Sequence, residues 1–509
     1  MAIINSLASW WMRKRMHQIE LFMKYPFDVQ NDCFKMLVKE AKDTEWGKLH
    51  DYKNITNPEQ FKKNVPVQTY DSLKPFIDRT RKGEQNILWN TNIKYFAKSS
   101  GTTNDKSKFI PISEESLNDC HFNGGRDMIA LYCTAYPETQ LFTGKYLGLA
   151  GSLTINTYGE YESQTGDLSA VVVNNLPLWM DFFSTPEKSI ALMDKWEIKL
   201  KKIADITANE NVVSLAGVPS WLLILMKQLL ETTGEKNIVN VWPNLEVYFH
   251  GGVNFTPYKE QFKTIINKPD LNFLELYNAS EGFFGIQDRR NSSELLLMLD
   301  YGIYYEFIPV NQLGTSNPNT LSLDEVELNT NYALVISTSG GLWRYIIGDT
   351  IKFTSLNPFR FQITGRTKHY MNAFGEEVTV DNADKALYLA CEKSGAIINE
   401  YSAAPVYISN NSSGAHEWLI EFEKQPTSIE YFSEMLDNAM KSINSDYEAK
   451  RYRNMILKSP IVTSIPRGTF YKWLSSKKKL GGQYKIPRLS NDRKVIEELY
   501  AIIQSQIIY

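Results

Sequence analysis

Cysteine is scarce in this chain of 509 residues: only Cys33, Cys120, Cys133 and Cys391 occur, with no CxxC pair among them. That excludes a disulfide framework and a cysteine-rich zinc site, and it fits a reducing, cytoplasmic setting. The six histidines show no HExxH or similar spacing, so no transition-metal site is expected. An excess of one charge is also missing. The formal net charge of −3 gives no overall pull toward nucleic acid or an acidic membrane. No stretch approaches the ~18 apolar residues of a transmembrane helix, so stable membrane insertion is not expected. The Walker pattern GxxxxGK[ST] is absent, which disfavours a P-loop kinase or GTPase. There is no internal repeat and no low-complexity linker. A secretory signal places its charge before its apolar run. Here residues 1–12 are mostly apolar and Arg13-Lys14-Arg15 follow. We read an amphipathic helix packed on the body, with attachment to a membrane surface as the weaker alternative.

Hydrophobic residues make up 43% and charged residues 22%, ordinary values for a globular protein, and the length permits two or more domains. Aromatics reach 13%, which we read as a large aromatic core. Residues 1–50 read as helical. Apolar runs at 146–150, 212–215, 245–249 and 273–277 read as buried strands, and 186–207 and 219–233 as helices between them. This alternation predicts α/β layers with parallel pairing. Runs at 303–307, 326–328, 332–337 and 351–353 predict a small antiparallel sheet or β-barrel. The character of the chain changes near Gly365-Arg366. Beyond it, a helix at 381–394, a strand at 417–423 and a helix at 429–442 predict a compact α+β unit.

Three short motifs could carry chemistry. In Ser99-Ser100-Gly101-Thr102-Thr103, small hydroxyl residues around a glycine allow backbone N–H groups to approach phosphate oxygens, and Lys106 or Lys108 can add charge. The same string also makes a good turn. In Tyr277-Asn278-Ala279-Ser280-Glu281, the ring can stack on a purine and the carboxylate can hold Mg²⁺. A helix start capped by Ser280 is the plainer reading. In Tyr345-Ile346-Ile347-Gly348-Asp349, the acid can accept both hydroxyls of a ribose, or simply occupy a turn. Arg366 could reach a ribose or a phosphate, or form a surface ion pair.

Taken in order, these motifs resemble the acyl-adenylate-forming superfamily. The closest resemblance within it is to the auxin-responsive acyl-acid amido synthetase family. It is carried by Ser99–Thr103, Val241-Trp242-Pro243-Asn244, Tyr277-x-x-Ser280-Glu281 and Gln483-Tyr484-Lys485-Ile486-Pro487-Arg488, and it spans residues 95–490. The resemblance implies an ATP- and acyl-binding domain over 1–365 and a small mobile domain over 366–509. It implies that Ser99, Ser100, Gly101, Thr102, Thr103, Lys108, Gly251, Gly252, Tyr277, Ser280, Asp349 and Arg366 bind the nucleotide. Glu281 would hold Mg²⁺, Lys485 would be catalytic, and Lys368 would be the hinge. The implied reaction activates a carboxylic acid with ATP as acyl-AMP, releases pyrophosphate and passes the acyl group to an amine, an amino acid by the resemblance. Ile346 stands where the superfamily has arginine, and Asn104-Asp105 where the plant loop has more glycine. The spacing from Gly365 to Gly375 looks more like the acyl-CoA synthetases, so a thioester-forming ligase stays open as the alternative. The acid, the amine and the oligomeric state are not legible in the sequence.

Overall fold

The computed structural model describes all residues except 1, 101–106, 253–254, 256–258, 314, 316–317, 368–369, 377, 408–413, 455, 477–485 and 508–509. The side chains of Ser100 and Arg366 are also outside the description. The chain forms two compact units. The first holds Met1–Ser99, Ser107–Gly252 and Phe262–Thr367, and the second is chiefly Lys368–Tyr509.

Helices α1 (Ala2–Arg13), α2 (Met16–Lys24) and α3 (Pro26–Ala41) open the first unit. Pro26 suits the first turn of α3, where its missing N–H leaves nothing unpaired. Cys33, Phe34, Leu37, Val38 and Ala41 recur at helical spacing and are buried. Gln30 anchors this face. Its amide nitrogen donates to the carbonyls of Leu299 and Ile303 at 2.9 Å each, and its oxygen accepts from the Tyr305 N–H at 2.9 Å. A buried amide is tolerable only when satisfied in this way. Helix α1 packs on the body through Asn5 and Met12.

Strands β1 (Tyr95–Ser100) and β2 (Ser107–Ile112) flank the hydroxyl-rich loop, and β3 (Lys145–Gly148) follows. Strands β4 (Leu153–Tyr158) and β5 (Tyr161–Gly166) complete a small sheet of order β2-β1-β5-β4. The main sheet has a parallel half and an antiparallel half. Its parallel half pairs β6 (Ser184–Thr185), β3, β7 (Val212–Gly217), β8 (Val247–Gly251) and β9 (Asn272–Ala279) in that order. Parallel neighbours need crossovers, and helices Trp196–Thr207 and Pro219–Thr233 supply two of them. The single helix predicted over 186–207 is in fact two, Lys188–Ala191 and Trp196–Thr207.

Beyond β9 the sheet turns antiparallel through β10 (Gly282–Ile286), β11 (Leu295–Leu297), β12 (Ile303–Pro309), β13 (Asn331–Thr338), β14 (Tyr345–Leu356) and β15 (Phe359–Arg366). Among the described residues the full order is β12-β13-β14-β15-β11-β10-β9-β8-β7-β3-β6. This corrects the predicted small barrel, because no closed barrel forms among these strands. The cause is β11, which pairs with β10 on one side and β15 on the other and so splices the antiparallel strands into the main sheet. The strand predicted at 326–328 is absent too. Ser322 and Glu325 form a reciprocal capping box around the short turn Leu323–Glu325, and a cap of this kind favours a helical turn over an extended run.

In the second unit, helix Val380–Ser394 precedes the antiparallel pair β18 (Ile397–Tyr407) and β19 (Gly414–Lys424), after the short strands β16 (Tyr370–Met371) and β17 (Val378–Thr379). Strand β20 (Ile461–Ile465) adds to β19 in parallel. Helix Ile429–Ile443 and the last described helix, Lys494–Ile507, pack within the same unit, which is the α+β arrangement predicted for this part of the chain.

Candidate functional site

The parallel strands share a property that no single motif reveals. Strands β3, β7, β8 and β9 end at Gly148, Gly217, Gly251 and Ala279. Small residues at the carboxyl ends of parallel strands keep that edge open, and this edge is where α/β sheets bind ligands. At Gly251 the small residue is also needed for packing. A Cβ there would lie 2.5 Å from the Leu276 carbonyl oxygen. Gly252, directly after β8, has a φ of +80°, a conformation that favours glycine. Gly251 thus stands beside β9, opposite Leu276, the neighbour of Tyr277.

Tyr277 lies on β9, not in a helix. Its hydroxyl donates to the Asp349 Oδ2 at 2.5 Å, across 72 positions of sequence. Both residues are buried. Phe284 and Phe361 frame the Tyr277 ring, with centroids at 4.9 Å and 6.0 Å. Ser280 and Glu281 form the two-residue turn between β9 and β10, since Ala279 pairs with Gly282. The capped helix start considered for Ser280 is therefore replaced by a hairpin. Glu281 is buried at 8% exposure. Just beyond it, the Phe283 N–H donates to the Cys120 Sγ at 3.1 Å, which ties β10 to the π-helical stretch Ser116–Phe122.

Asp349 sits on β14 opposite Arg366 of β15. Four residues earlier, the Tyr345 hydroxyl accepts from the Lys108 Nζ at 3.4 Å. This links β2, at the exit of the hydroxyl-rich loop, to the strand that carries Asp349. Ser99 lies on β1 at the entry of that loop. The linking role of Tyr345 escaped the sequence reading, although the residue opens the third motif. Ile346 packs against the apolar cluster of Ile308, Ala333 and Val335. Arg344, two residues earlier, is buried and faces Glu306 through paired contacts of 2.9 Å. The arginine next to the motif is thus a structural ion pair.

Gly101, Thr102, Thr103, Lys368 and Lys485 lie outside the described residues. The segment just after Lys485 is described, and it is fastened to β18. The Ser402 hydroxyl donates to the Pro487 carbonyl at 2.7 Å, and the Ala403 N–H to the Arg488 carbonyl at 2.8 Å. Arg488 pairs with Asp384 at 3.0 Å and Glu400 at 3.2 Å. Beyond its place in the last motif, this anchoring role of Arg488 has no signal in the sequence.

Residues 15–271 match the GH3 family N-terminal domain, 296–366 the GH3 family central domain and 381–494 the GH3 family C-terminal domain. Indole-3-acetic acid-amido synthetase GH3.3 of Arabidopsis thaliana is 23% identical, with 92% of this chain and 90% of the relative covered. Jasmonoyl–L-amino acid synthetase JAR6 of Nicotiana attenuata is 24% identical, with 97% and 96% covered. Among solved structures, GH3.15 acyl acid amido synthetase superposes with a TM-score of 0.62 at 17% identity, covering 96% of each chain. A 2-hydroxyisobutyryl-CoA ligase bound to its acyl-adenylate and CoA superposes with a TM-score of 0.57 at 13% identity, covering 95% and 93%. With all three of its domains matched in order, the chain belongs to the GH3 family.

Proposed function

We propose that this protein is an ATP-dependent acyl-acid amido synthetase that activates a carboxylic acid as acyl-AMP and transfers the acyl group to an amine, an amino acid by likeness to its relatives. The observation that carries this reading is the contact between Tyr277 and Asp349. It joins the adenine motif to the ribose motif inside one sheet of a GH3 chain.

The residues present suit ATP and Mg²⁺. Tyr277 offers a flat ring, Asp349 a carboxylate for ribose hydroxyls and Lys108 a cation beside the phosphate loop. Among the described residues no cluster of three or more His, Cys, Asp or Glu could hold a metal alone. A single carboxylate, Glu281, suits Mg²⁺, whose other positions substrate phosphates and water commonly fill. Mg²⁺ bound there supplies positive charge against the phosphates.

In the first half-reaction a carboxylate oxygen of the acid attacks the α-phosphorus of ATP, and the bond to pyrophosphate breaks. Lys485 offsets the negative charge that gathers there. In the second, the amine nitrogen bonds to the acyl carbon, AMP leaves with the bonding pair, and the amine gives up a proton. The chain works as two domains, 1–365 and 366–509, with the hinge at Lys368. The family matches support that division, since the central domain ends at 366 and the C-terminal domain starts at 381. Cys33, Cys120 and Cys133 are buried and form no disulfide, which suits a reducing cytoplasm.

A second reading, thioester formation on CoA or a carrier protein, rests on the spacing between Gly365 and Gly375. A carboxylate library assayed for pyrophosphate release, with amino acids and separately with CoA, tests both. Amide product with an amino acid and none with CoA supports the proposal. Robust thioester formation would replace it with the second reading.

A further inference from the structure

The N-terminal helices turn an unexpected face outward. Asn5, Met12, Ile19 and Phe22 are buried, and Arg15 points inward with them. The Arg15 guanidinium meets Asp127 at 2.8 Å and Asp300 at 2.7 Å, which fixes the rotation of both helices. The opposite stripe therefore faces solvent. It holds Leu7, Trp10, Trp11, Leu21 and Tyr25, at 60%, 58%, 53%, 47% and 44% exposure. Helical turns continue through the junction of α1 and α2, where the Arg15 N–H bonds to the Met12 carbonyl at 3.1 Å and the Gln18 N–H to the Arg15 carbonyl at 3.0 Å. Leu7, Trp10, Trp11, Lys14, Leu21 and Tyr25 thus recur at three, four and seven residues, the spacing of one helix face.

Charge on this stripe has one dominant sign. Lys14 Nζ lies 3.9 Å from the centre of the Trp10 ring, and Lys24 Nζ lies 5.1 Å from that of Tyr25. Both Lys14 and Lys24 are exposed, Arg15 being turned inward, and Glu20 is the one acid within residues 1–27, with Asp28 following, in a chain whose net charge is −3. Tryptophan and lysine side by side on an apolar helix face suit the boundary between lipid headgroups and acyl chains. A second copy fits less well, because two-fold pairing would set these cations against their own copies. Among the described residues no helix is long and apolar enough to cross a membrane, so the contact would be peripheral.

We infer that the outward face of α1 and α2 adsorbs to an anionic lipid surface, with Trp10 and Trp11 as apolar anchors and Lys14 and Lys24 at the lipid phosphates. The overall charge does not oppose this, since attraction acts within a Debye length of about 10 Å at 0.1 M salt.

The test is co-sedimentation of the full chain with vesicles of phosphatidylcholine alone and of phosphatidylcholine mixed with phosphatidylglycerol. The protein should pellet with the mixed vesicles, not with phosphatidylcholine alone, and less at high salt. Trp10→Ser with Trp11→Ser should lower the bound fraction about tenfold, and Lys14→Glu should also weaken it. Both variants should keep wild-type circular dichroism and pyrophosphate exchange, because the replaced side chains are exposed. Failure to pellet with mixed vesicles, or equal pelleting by the double variant, overturns the inference. A concentration-dependent dimer abolished by the double variant would overturn it in favour of a second copy.

Discussion

Glu281 owes its place to a hairpin, and that separates its chemistry from its contribution to stability. A helix cap at this position would have made its charge a matter of a few tenths to one kcal/mol of folding energy. In the turn between β9 and β10, Glu281→Gln keeps the shape and removes the charge proposed to hold Mg²⁺. We expect adenylation to fall about a hundredfold or more while the melting temperature stays nearly unchanged. Pyrophosphate exchange followed across a Mg²⁺ titration checks this, and a wild-type rate with wild-type Mg²⁺ dependence would remove Glu281 from the site. His121 gives a different kind of test. It is buried on the π-helical stretch, its Nε2 has no partner, and burial pushes its pKa down to about 4 from 6.5. Between those values the unfolded chain binds the proton and the folded chain does not. Stability is therefore greatest above pH 6.5 and falls as pH drops toward 4, by about 3 kcal/mol for this group alone. Denaturant titrations at pH 7 and pH 4.5 should show a smaller difference in His121→Gln than in the wild type. An equal difference would mean that His121 takes up its proton in the folded state.

The segment leading from Lys485 into Arg488 shows what an element contributes. Its exit is stitched to β18 by Pro487 and Arg488, and the Arg488 ion pairs with Asp384 and Glu400 hold the stitch. Lys485→Ala should cost about 3–4 kcal/mol of transition-state stabilisation, roughly a hundred- to thousandfold in adenylation rate, with ATP binding much less affected. Arg488→Ala should lower the rate by a smaller factor, because it loosens the support and leaves the lysine in place. Lys479→Ala is the control. Equal small effects of Lys485→Ala and Lys479→Ala on pyrophosphate exchange would show that this loop supplies no catalytic charge. Elements such as β7, β8 and β9 were legible because apolar residues dominate each, interrupted by Ser214 in β7, His250 in β8 and Glu275 in β9, as suits strands of a largely covered parallel sheet. Other features were hidden for physical reasons. Ser280-Glu281 satisfies the rules for a helix cap as well as those for a hairpin turn, and only the pairing of Ala279 with Gly282 decides. Strand β11 has three residues, too few for a period, yet it determines whether the antiparallel strands close or continue the sheet. The outward side of α1 was hidden because Arg15, a polar residue, sets which side faces in.

At the scale of the whole molecule, the order of motifs carried more than any one of them. Tyr277 and Asp349 were each more simply read as ordinary structure, and their 2.5 Å contact was invisible in a sequence that separates them by 72 positions. The division read near Gly365 from a change in the character of the chain, and the hinge at Lys368 implied by the family resemblance, are proposals that one substitution tests. Lys368→Pro would fix φ near −65°. If the two half-reactions need different domain orientations, adenylation and amide formation should fall by unequal factors, as measured by pyrophosphate exchange and by product formation from isolated acyl-AMP. Equal losses in a folded variant would place the hinge elsewhere. The proposed activity makes acyl-adenylate and hands the acyl group to an amine. The most direct measurement is a single reaction with ATP, Mg²⁺ and an activated acid from the library, quenched and resolved by mass spectrometry with an amino acid or with CoA as acceptor. AMP and amide are expected in equal amounts with the amino acid, acyl-AMP trapped as a hydroxamate when hydroxylamine replaces it, and no thioester with CoA. ATP binding without any acyl-AMP across the library, or thioester in place of amide, would contradict it.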